Sequence, residues 1–347
     1  MTTSKLALRF FFVLVVFAVL ARIPVGFDVG FQFDAALAVI WGFGLLSLVL
    51  LTGFVGQVSL CQATFAGVGA YAAGMTVSTF HLPYLAAVAI SVGAAFALGV
   101  IVGLPALRLH GITLAIVTLG IALVFDRYVF QDHIFEWFTG GSGGWRVDGA
   151  EMFGLKMDSS THLMAVYVVA LALFCAVAFL MLNLHDSGAG RRFRAIRDSE
   201  LAAATMGVGL TRFKLLAFGL SAAIAGLGGS FYPLAAGSVS PQPFWVFTSL
   251  QFAAIAVLMG VRYVPAAALG GAFMAFVPDI LTRFGHGTLF NRIAYDISYD
   301  WFQIAVGVLL IVQLILLPDG VWGDLRSRAA HIVSLFRGGR TKQVSVA

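Results

Sequence analysis

Residues 161–182 read THLMAVYVVALALFCAVAFLML, and these 22 residues include no Asp, Glu, Lys or Arg. An α-helix needs about 20 consecutive apolar residues to cross a hydrocarbon core of roughly 30 Å, so we interpret this stretch as a membrane-spanning helix. Comparable apolar segments recur along the chain and predict an all-α, polytopic integral membrane protein with about ten transmembrane helices. The ten segments are residues 6–23, 35–52, 62–80, 84–103, 112–130, 161–182, 213–232, 246–262, 264–280 and 301–317.

The composition of the 347-residue chain agrees with this class, because 60% of the residues are hydrophobic and only 11% are charged. A soluble domain averages roughly a quarter charged residues. The two cysteines, Cys61 and Cys175, lie in apolar stretches and predict neither a disulfide framework nor a metal site. We expect residues 1–347 to form a single transmembrane domain, and we interpret the first apolar run as a retained span rather than a cleaved signal peptide.

The distribution of basic residues predicts the orientation of the spans. With the N-terminus inside, 15 of the 21 basic residues fall in inner segments, namely Lys5, Arg9, Arg108, Arg191, Arg192, Arg194, Arg197, Arg212, Lys214, Arg262, Arg326, Arg328, Arg337, Arg340 and Lys342. The other six, in outer segments, are Arg22, Arg127, Arg146, Lys156, Arg283 and Arg292. The positive-inside rule therefore predicts an N-in, C-in chain. The basic excess is a topology signal, and no nucleic-acid partner is expected.

A polar segment, GFVGQVSL at residues 53–60, lies between the second and third predicted spans. Polar backbone at membrane depth is tolerated only where it is buried in protein or lines a cavity. One interpretation is a helix broken at a translocation path, with Gln57 and Ser59 facing the path. The other is a short cytosolic turn capped by glycine, and the sequence leaves both open. Small residues in the third and seventh spans, such as Gly69 and Gly226, predict close helix packing.

The predicted outer loop, residues 131–160, contains the glycine-rich run TGGSGG at residues 139–144. Such a run is typical of a flexible connection. Its backbone amides are also able to form an anion-binding nest for a substrate carboxylate. A third interpretation, which we prefer, is that the loop meets an external partner.

The long inner loop, residues 186–212, contains the run GRRFRAIRDSELAAATMGV at residues 190–208. Its alanine-rich centre predicts a helix, and Gly207 provides a stop signal. Four residues, Phe193, Ile196, Ala203 and Met206, are spaced to form one apolar stripe. The stripe favours a docking helix for a cytosolic partner, because small residues permit close contact with protein. The alternative is a basic helix lying on anionic lipid.

The inner-loop run, followed by TRFKLLAF at residues 211–218, resembles the signature loop of branched-chain amino-acid ABC permeases, of the LivM type rather than the LivH type. In ABC importers this loop carries an E-A-A-x-x-x-G pattern and docks on the ATPase subunit. Leu201 takes the Glu position here, while Glu200 lies one residue early. The resemblance implies that the coupling residues are Arg194, Arg197, Asp198, Glu200, Ala202, Ala203 and Gly207.

The resemblance extends along nearly the whole chain. Residues 53–71 resemble the family's G-x-x-G-Q-V-S-L-G-H-A-A-F…G-A-Y pattern, although Cys61 and Gln62 replace Gly-His. Further similar segments are LRLHG at 107–111, AIVTL at 115–119, SPQPF at 240–244 and LPDGVWG at 317–323. The candidate path residues are Gln57, Ser59, Gln62 and Thr118. The family's glycine-dense run near Met259 is absent.

The resemblance implies a permease subunit of an ATP-driven importer in the bacterial cytoplasmic (inner) membrane, surrounded by membrane lipid. Its expected partners are a second homologous permease, two cytosolic ATPase subunits and an extracytoplasmic solute-binding protein. No lysine lies in a P-loop pattern, so we expect no ATP hydrolysis by this chain and no bound cofactor. Branched-chain amino acids, urea, amides and other small acids all remain open as substrates.

Two other classes of function are considered. The first is an ion-coupled secondary transporter of small solutes. Few charged residues fall inside the predicted spans and none lies clearly at a span centre, which counts against this class. Sodium sites built from backbone carbonyls keep it open. The second is a membrane scaffold without transport activity, which would show no substrate flux even with its partners present.

Overall fold

The computed structural model describes residues 3–109, 111–141, 144–147, 150–152, 155–157 and 162–285, with positions 304, 307–308, 311–312, 320–325 and 328 beyond them. Thirteen α-helices lie in these ranges, and apolar sequence with few breakers explains most of them. They are α1 (Thr3–Arg22), α2 (Val29–Leu48), α3 (Gln62–Phe80), α4 (Tyr84–Ala106), α5 (Gly111–Val124), α6 (Glu136–Thr139), α7 (Leu163–Asp186), α8 (Gly188–Asp198), α9 (Glu200–Thr205), α10 (Leu210–Ser230), α11 (Tyr232–Ala236), α12 (Val246–Met259) and α13 (Val264–Gly285).

Smaller elements complete these helices. Helices α2 and α5 continue as π-helical turns, at Val49–Phe54 and Phe125–Phe130. Two 3₁₀ turns are found at His133–Phe135 and Gln242–Phe244. Two strands of three residues each, β1 (Ala150–Met152) and β2 (Leu155–Met157), pair antiparallel, with Ala150 opposite Met157. Apart from these strands and an isolated bridge between Arg146 and Ser238, the regular secondary structure of the described chain is helical, as the sequence predicts.

Helices α2, α3 and α10 form the centre of the molecule. Helix α10 packs against α2, α3 and α4, and α2 also packs along α7 and α13. The close approach of α3 and α10 depends on small residues, as predicted: a Cβ atom at Gly69 would overlap the backbone carbonyl of Gly226. Without glycine at this position, the two helices would have to separate.

The outer helices expose their apolar side chains. Large apolar residues of α1, α4 and α5 are among the most exposed of the described chain, as in Phe11, Ile101 and Ile112. A helix whose exposed face is apolar is matched to lipid rather than water. Within the described residues, five segments are long and apolar enough to cross a membrane, namely Val29–Phe54, Tyr84–Pro105, Gly111–Phe130, Leu163–Asp186 and Leu210–Ala236.

Nine of the ten predicted spans coincide with described helices, and α3 has the same bounds as its predicted span. The tenth, residues 301–317, falls outside the described residues except at five positions. Helix α12, with 14 residues, reaches only about 21 Å at 1.5 Å per residue. A polytopic helical membrane protein is therefore established, while the count of ten and the orientation stay predictions.

The predicted outer loop is tied to the rest of the chain where it is described. Residues 145–147 pair with residues 237–239, through Val147 N to Gly237 O at 3.1 Å and Val239 N to Trp145 O at 2.9 Å. Part of the glycine-rich run, residues 142–143, lies outside the described residues. The anion-nest and external-partner interpretations of this loop stay predictions.

Candidate translocation path and coupling face

The predicted polar segment after α2 is a broken helix in the structure. The chain leaves the π-helical turn at Phe54, runs without regular structure, and starts α3 at Gln62. Side-chain hydroxyls satisfy the freed backbone amides, since Leu60 N donates to Thr118 Oγ1 at 3.0 Å and Ala63 N donates to Ser249 Oγ at 3.1 Å. Irregular backbone among apolar helices requires such internal partners. Of the two interpretations, the broken helix describes the geometry; whether this segment faces a path stays a prediction.

Gln62, the first residue of α3, joins three helices. Its Oε1 accepts from Ser47 Oγ of α2 at 2.9 Å, and its Nε2 donates to Ser221 Oγ of α10 at 3.4 Å. Ser221 Oγ in turn donates to the Ser47 carbonyl at 2.9 Å. All three side chains are buried. Gln62 therefore has a structural role in the described conformation, holding α2, α3 and α10 together next to the broken segment.

The other three predicted path residues differ in how well they are satisfied. Thr118 Oγ1 donates to Ala115 O at 2.9 Å while accepting from Leu60 N, and Ser59 Oγ lies 3.2 Å from Cys61 Sγ. Gln57 is only 5% exposed, yet neither its Oε1 nor its Nε2 has a hydrogen-bond partner. A buried amide without partners costs roughly 1–3 kcal/mol. Gln57 is thus the predicted path residue whose side-chain polar atoms are left unsatisfied within the described chain.

We expect Gln57→Leu to lower transport while leaving the fold intact or more stable, because the substitution removes two unsatisfied polar atoms. The matched control is Gln62→Leu, which should lower the melting temperature by breaking the bonds to Ser47 and Ser221. Uptake kinetics and thermal unfolding of both variants test this. Unchanged uptake in Gln57→Leu would return the segment to a purely structural role.

The inner loop contacts the broken segment directly. Arg197, near the end of α8, donates from Nη1 to the Gly53 carbonyl at 2.9 Å. Gly56 adopts a positive φ of 77°, and a Cβ atom there would lie 2.5 Å from Arg197 Cγ. Arg197 also contacts Asp198 at 3.3 Å. A movement of α8 would therefore be transmitted to the start of the Gln57 segment through a side-chain hydrogen bond and tight backbone packing.

The inner loop forms two helices rather than one. Ser199 caps the second helix, accepting from Ala202 N at 3.3 Å, and its extended backbone separates α8 from α9. Phe193, Ile196 and Ala203 are buried inside the chain, while Met206 is 69% exposed. Three residues of the predicted stripe are therefore buried, across the break at Ser199, whereas Met206, which follows the end of α9, is exposed.

The exposed part of α9 differs from the predicted one. Ala203 has no exposed surface in this conformation, so its side chain contacts its own chain, and its role in coupling stays a prediction. Leu201 is 79% exposed, and Met206 is exposed as well, so both apolar side chains are free to contact a partner. We call Leu201, Ala202, Ala204, Thr205, Met206 and Gly207 the coupling face; all are exposed. Leu201 occupies the position at which the family pattern has Glu.

Two other predicted coupling residues, Glu200 and Arg194, contact polar side chains of their own chain. Glu200 pairs with Lys214 of α10 at 2.7 Å, and the Lys214 side chain is only 2% exposed. Removing one partner of a buried pair leaves the other charge uncompensated, so this contact anchors α9 on α10. Arg194 Nη1 lies 2.9 Å from His185 Nε2 at the end of α7. Neither contact follows from local sequence pattern.

The N-terminal half of α2, away from the broken segment, borders a cavity of about 470 Å³. Its lining combines carboxylates with aromatic rings, including Asp34, Trp41, Tyr232 and Trp245. Asp34 is buried and immediately precedes the predicted span 35–52. It was not among the predicted site residues. Buried ionisable residues in membrane helices are functional candidates. Within the described residues, no three His, Cys, Asp or Glu side chains cluster to hold a metal ion.

The sequence is similar to those of known membrane permeases. The family described as "Branched-chain amino acid transport system / permease component" matches residues 30–314. The Escherichia coli high-affinity branched-chain amino acid transport system permease protein LivM is 28% identical over 298 residues, covering 80% of this chain and 66% of the relative. A probable LivH permease of Methanocaldococcus jannaschii is 26% identical over 279 residues, covering 76% of this chain and 82% of the relative.

The LivH permease of Escherichia coli is 24% identical over 182 residues, covering 52% of this chain and 53% of the relative. The chain thus spans just under two thirds of the length of the LivM relatives it matches. No solved structure matches it. Because the family match covers most of the described helical core, from the start of α2 through α13, the chain belongs to the branched-chain amino acid transport permease family.

Proposed function

We propose that the chain is the transmembrane permease subunit of an ATP-driven importer for branched-chain amino acids or related small amphipathic solutes. Membership of the permease family supports this proposal. The observation that carries it is the physical connection from the coupling face, through α8 and Arg197, to the broken helix that contains Gln57. A transport subunit driven by a partner requires such a connection between its docking surface and its path.

In this proposal the energy comes from other subunits. One of two cytosolic ATPases binds the coupling face, a second homologous permease completes the path, and a solute-binding protein delivers substrate at the outer surface. ATP binding closes the ATPase dimer and displaces α8 and α9, and the permease halves then rock between inward- and outward-facing states. The chain itself hydrolyses no ATP and works in the bacterial cytoplasmic membrane.

The proposal includes ten spans with both termini in the cytosol, supported by the 15-to-6 division of basic residues. Reporter fusions at Asp148 should report the outside, and fusions at Ser199 the cytosol. Asp148 lies outside the described residues, whereas Ser199 separates α8 and α9. Finding both fusions on the same side of the membrane would contradict the ten-span arrangement.

Reconstitution tests the proposed function against an ion-coupled transporter. The chain is placed in vesicles with its candidate permease and ATPase partners, and leucine uptake is measured with the solute-binding protein outside. We expect uptake to require ATP in the ATPase compartment and to persist when sodium and proton gradients are collapsed. Uptake by this chain alone, driven by an ion gradient, would identify a secondary transporter. Absence of flux with all partners present would favour a scaffold.

A further inference from the structure

A second and larger cavity lies beside the start of the inner loop. Its volume is about 720 Å³, and it is bounded by α1, the end of α7, the start of α13 and residues 322–325. Basic and aromatic side chains line it. They are Arg9, Phe54, His185, Arg262, Tyr263 and Trp322, together with apolar residues. Neither the predicted path residues nor the coupling face contributes to this cavity, so it requires a separate explanation.

Among the described residues around this cavity, positive charge exceeds negative charge. Arg9 Nη2 pairs with Asp186 Oδ2 at 2.6 Å, and the same carboxylate lies 2.9 Å from His185 Nδ1. On the other side of the imidazole ring, Arg194 Nη1 lies 2.9 Å from His185 Nε2. Arg262, by contrast, forms no hydrogen bond or ion pair with any described residue.

The lining of the cavity thus holds two guanidinium groups, of Arg9 and Arg262, and only that of Arg9 is paired with a described carboxylate. Asp324, which lies close to the cavity in sequence, is paired with Arg328 at 2.6 Å. The uncompensated group is Arg262, which is exposed at the cavity. A guanidinium in a partly apolar cavity is matched to an anion, and its planar donor geometry suits a phosphate group in particular.

The surroundings of the cavity favour an amphipathic anion over a soluble one. Helix α1 carries Arg9 into the cavity and presents the exposed rings of Phe10, Phe11 and Phe12 immediately after it. An unbroken run of exposed aromatic residues is matched to acyl chains. Tyr263 and Trp322 add aromatic rings of the kind found at the membrane–water interface.

We propose that this cavity binds the phosphate-bearing headgroup of an anionic phospholipid, with Arg262 contacting the phosphate and the acyl chains lying along α1. Basic pockets between transmembrane helices are known to bind such headgroups. The bound lipid would bridge α1, α7 and α13. Because Arg194 of α8 contacts His185 at the cavity wall, the lipid would also support the position of the inner loop.

The test uses the purified full-length chain and phosphatidylglycerol as the probe. Retained lipid is measured by native mass spectrometry, and thermal unfolding is recorded with phosphatidylglycerol, phosphatidylcholine or inorganic phosphate. We expect the parent chain to retain phosphatidylglycerol, Arg262→Gln to retain about fivefold less, and Arg262→Lys to recover part of the loss. The matched control is Arg22→Gln at the other end of α1, which should behave like the parent chain. Only phosphatidylglycerol should raise the melting temperature.

Several results would overturn the proposal. Equal retention of phosphatidylglycerol by the parent chain and Arg262→Gln would show that the cavity is not its site. Equal stabilisation by phosphatidylcholine would remove the requirement for negative charge. Stabilisation by inorganic phosphate to the same extent would assign the cavity to a free anion. Unchanged lipid retention with weaker binding of the ATPase subunits would assign Arg262 to a protein contact. Each measurement is independent of transport, so failure of the importer proposal would leave this test intact.

Discussion

Replacing Leu201 with Lys, opposite in charge to the Glu of the family pattern, should dissociate the ATPase subunits from the permease and abolish ATP-driven uptake. Leu201 is 79% exposed and projects from α9, so in a docked complex its side chain would be buried against the partner. Burying an unpaired ammonium group there costs several kcal/mol, and about 3 kcal/mol already corresponds to more than a hundredfold in affinity. Co-purification of the ATPases and uptake in the same preparation measure the effect. Met206→Glu should act in the same way.

The control is Leu201→Met, which preserves apolar character and approximate volume and should retain both ATPase binding and uptake. Normal binding and uptake in Leu201→Lys would reject the docking assignment and favour a helix lying on lipid. Ala203→Arg would be a less specific test. Ala203 is buried within the chain, so a long side chain there would displace α9 from its own helices before meeting a partner.

Replacing Gly69 with Val should prevent the chain from folding. A Cβ atom at Gly69 would overlap the carbonyl oxygen of Gly226, and its next nearest atoms are also backbone. Backbone cannot rotate away as a side chain can, so α3 and α10 would have to separate at the centre of the molecule. Overpacking usually costs about 1–3 kcal/mol, and we expect a cost at or above the upper end. The measurement is the yield of monodisperse protein after detergent extraction.

The matched control is Gly93→Ala in α4, where an added Cβ atom meets nothing within 4 Å. That variant should fold normally and be slightly stabilised, because Ala has a higher helix propensity than Gly by roughly 1 kcal/mol. A normal yield of monodisperse Gly69→Val would mean that α3 and α10 do not approach as closely as described. Loss of both variants would indicate a general intolerance of the helices to substitution.

The predicted spans agree with the structure because a membrane helix is a local property of the sequence. An apolar run of sufficient length must satisfy its own backbone hydrogen bonds in lipid, and only a helix does so within one segment. The bounds of α3, and the close packing that its small residues predict, could therefore be obtained without tertiary information. The same holds for the helical inner loop, although the break at Ser199 was missed.

The candidate site could be predicted only in part. Gln57 and Ser59 were identified because polar residues between apolar spans are unusual, and the structure shows that Gln57 has unpartnered polar atoms. The burial of Ala203 and the pairing of Glu200 were not predicted, because periodicity does not reveal which helix face the rest of the chain covers. Asp34 and Arg262 were overlooked as site residues, since cavities form between segments distant in sequence.

The class of this protein, its helical segments, its family and the segments that carry its motifs can all be obtained from the amino-acid sequence. These follow from apolar length, composition and local pattern, which act within about 20 residues. Three features are visible only once the helices are packed together. Arg197 binds the Gly53 carbonyl, Lys214 pairs with Glu200, and Leu201 rather than Ala203 is exposed. These contacts join residues from separate helices. Their geometry depends on how the helices pack, which no local pattern encodes.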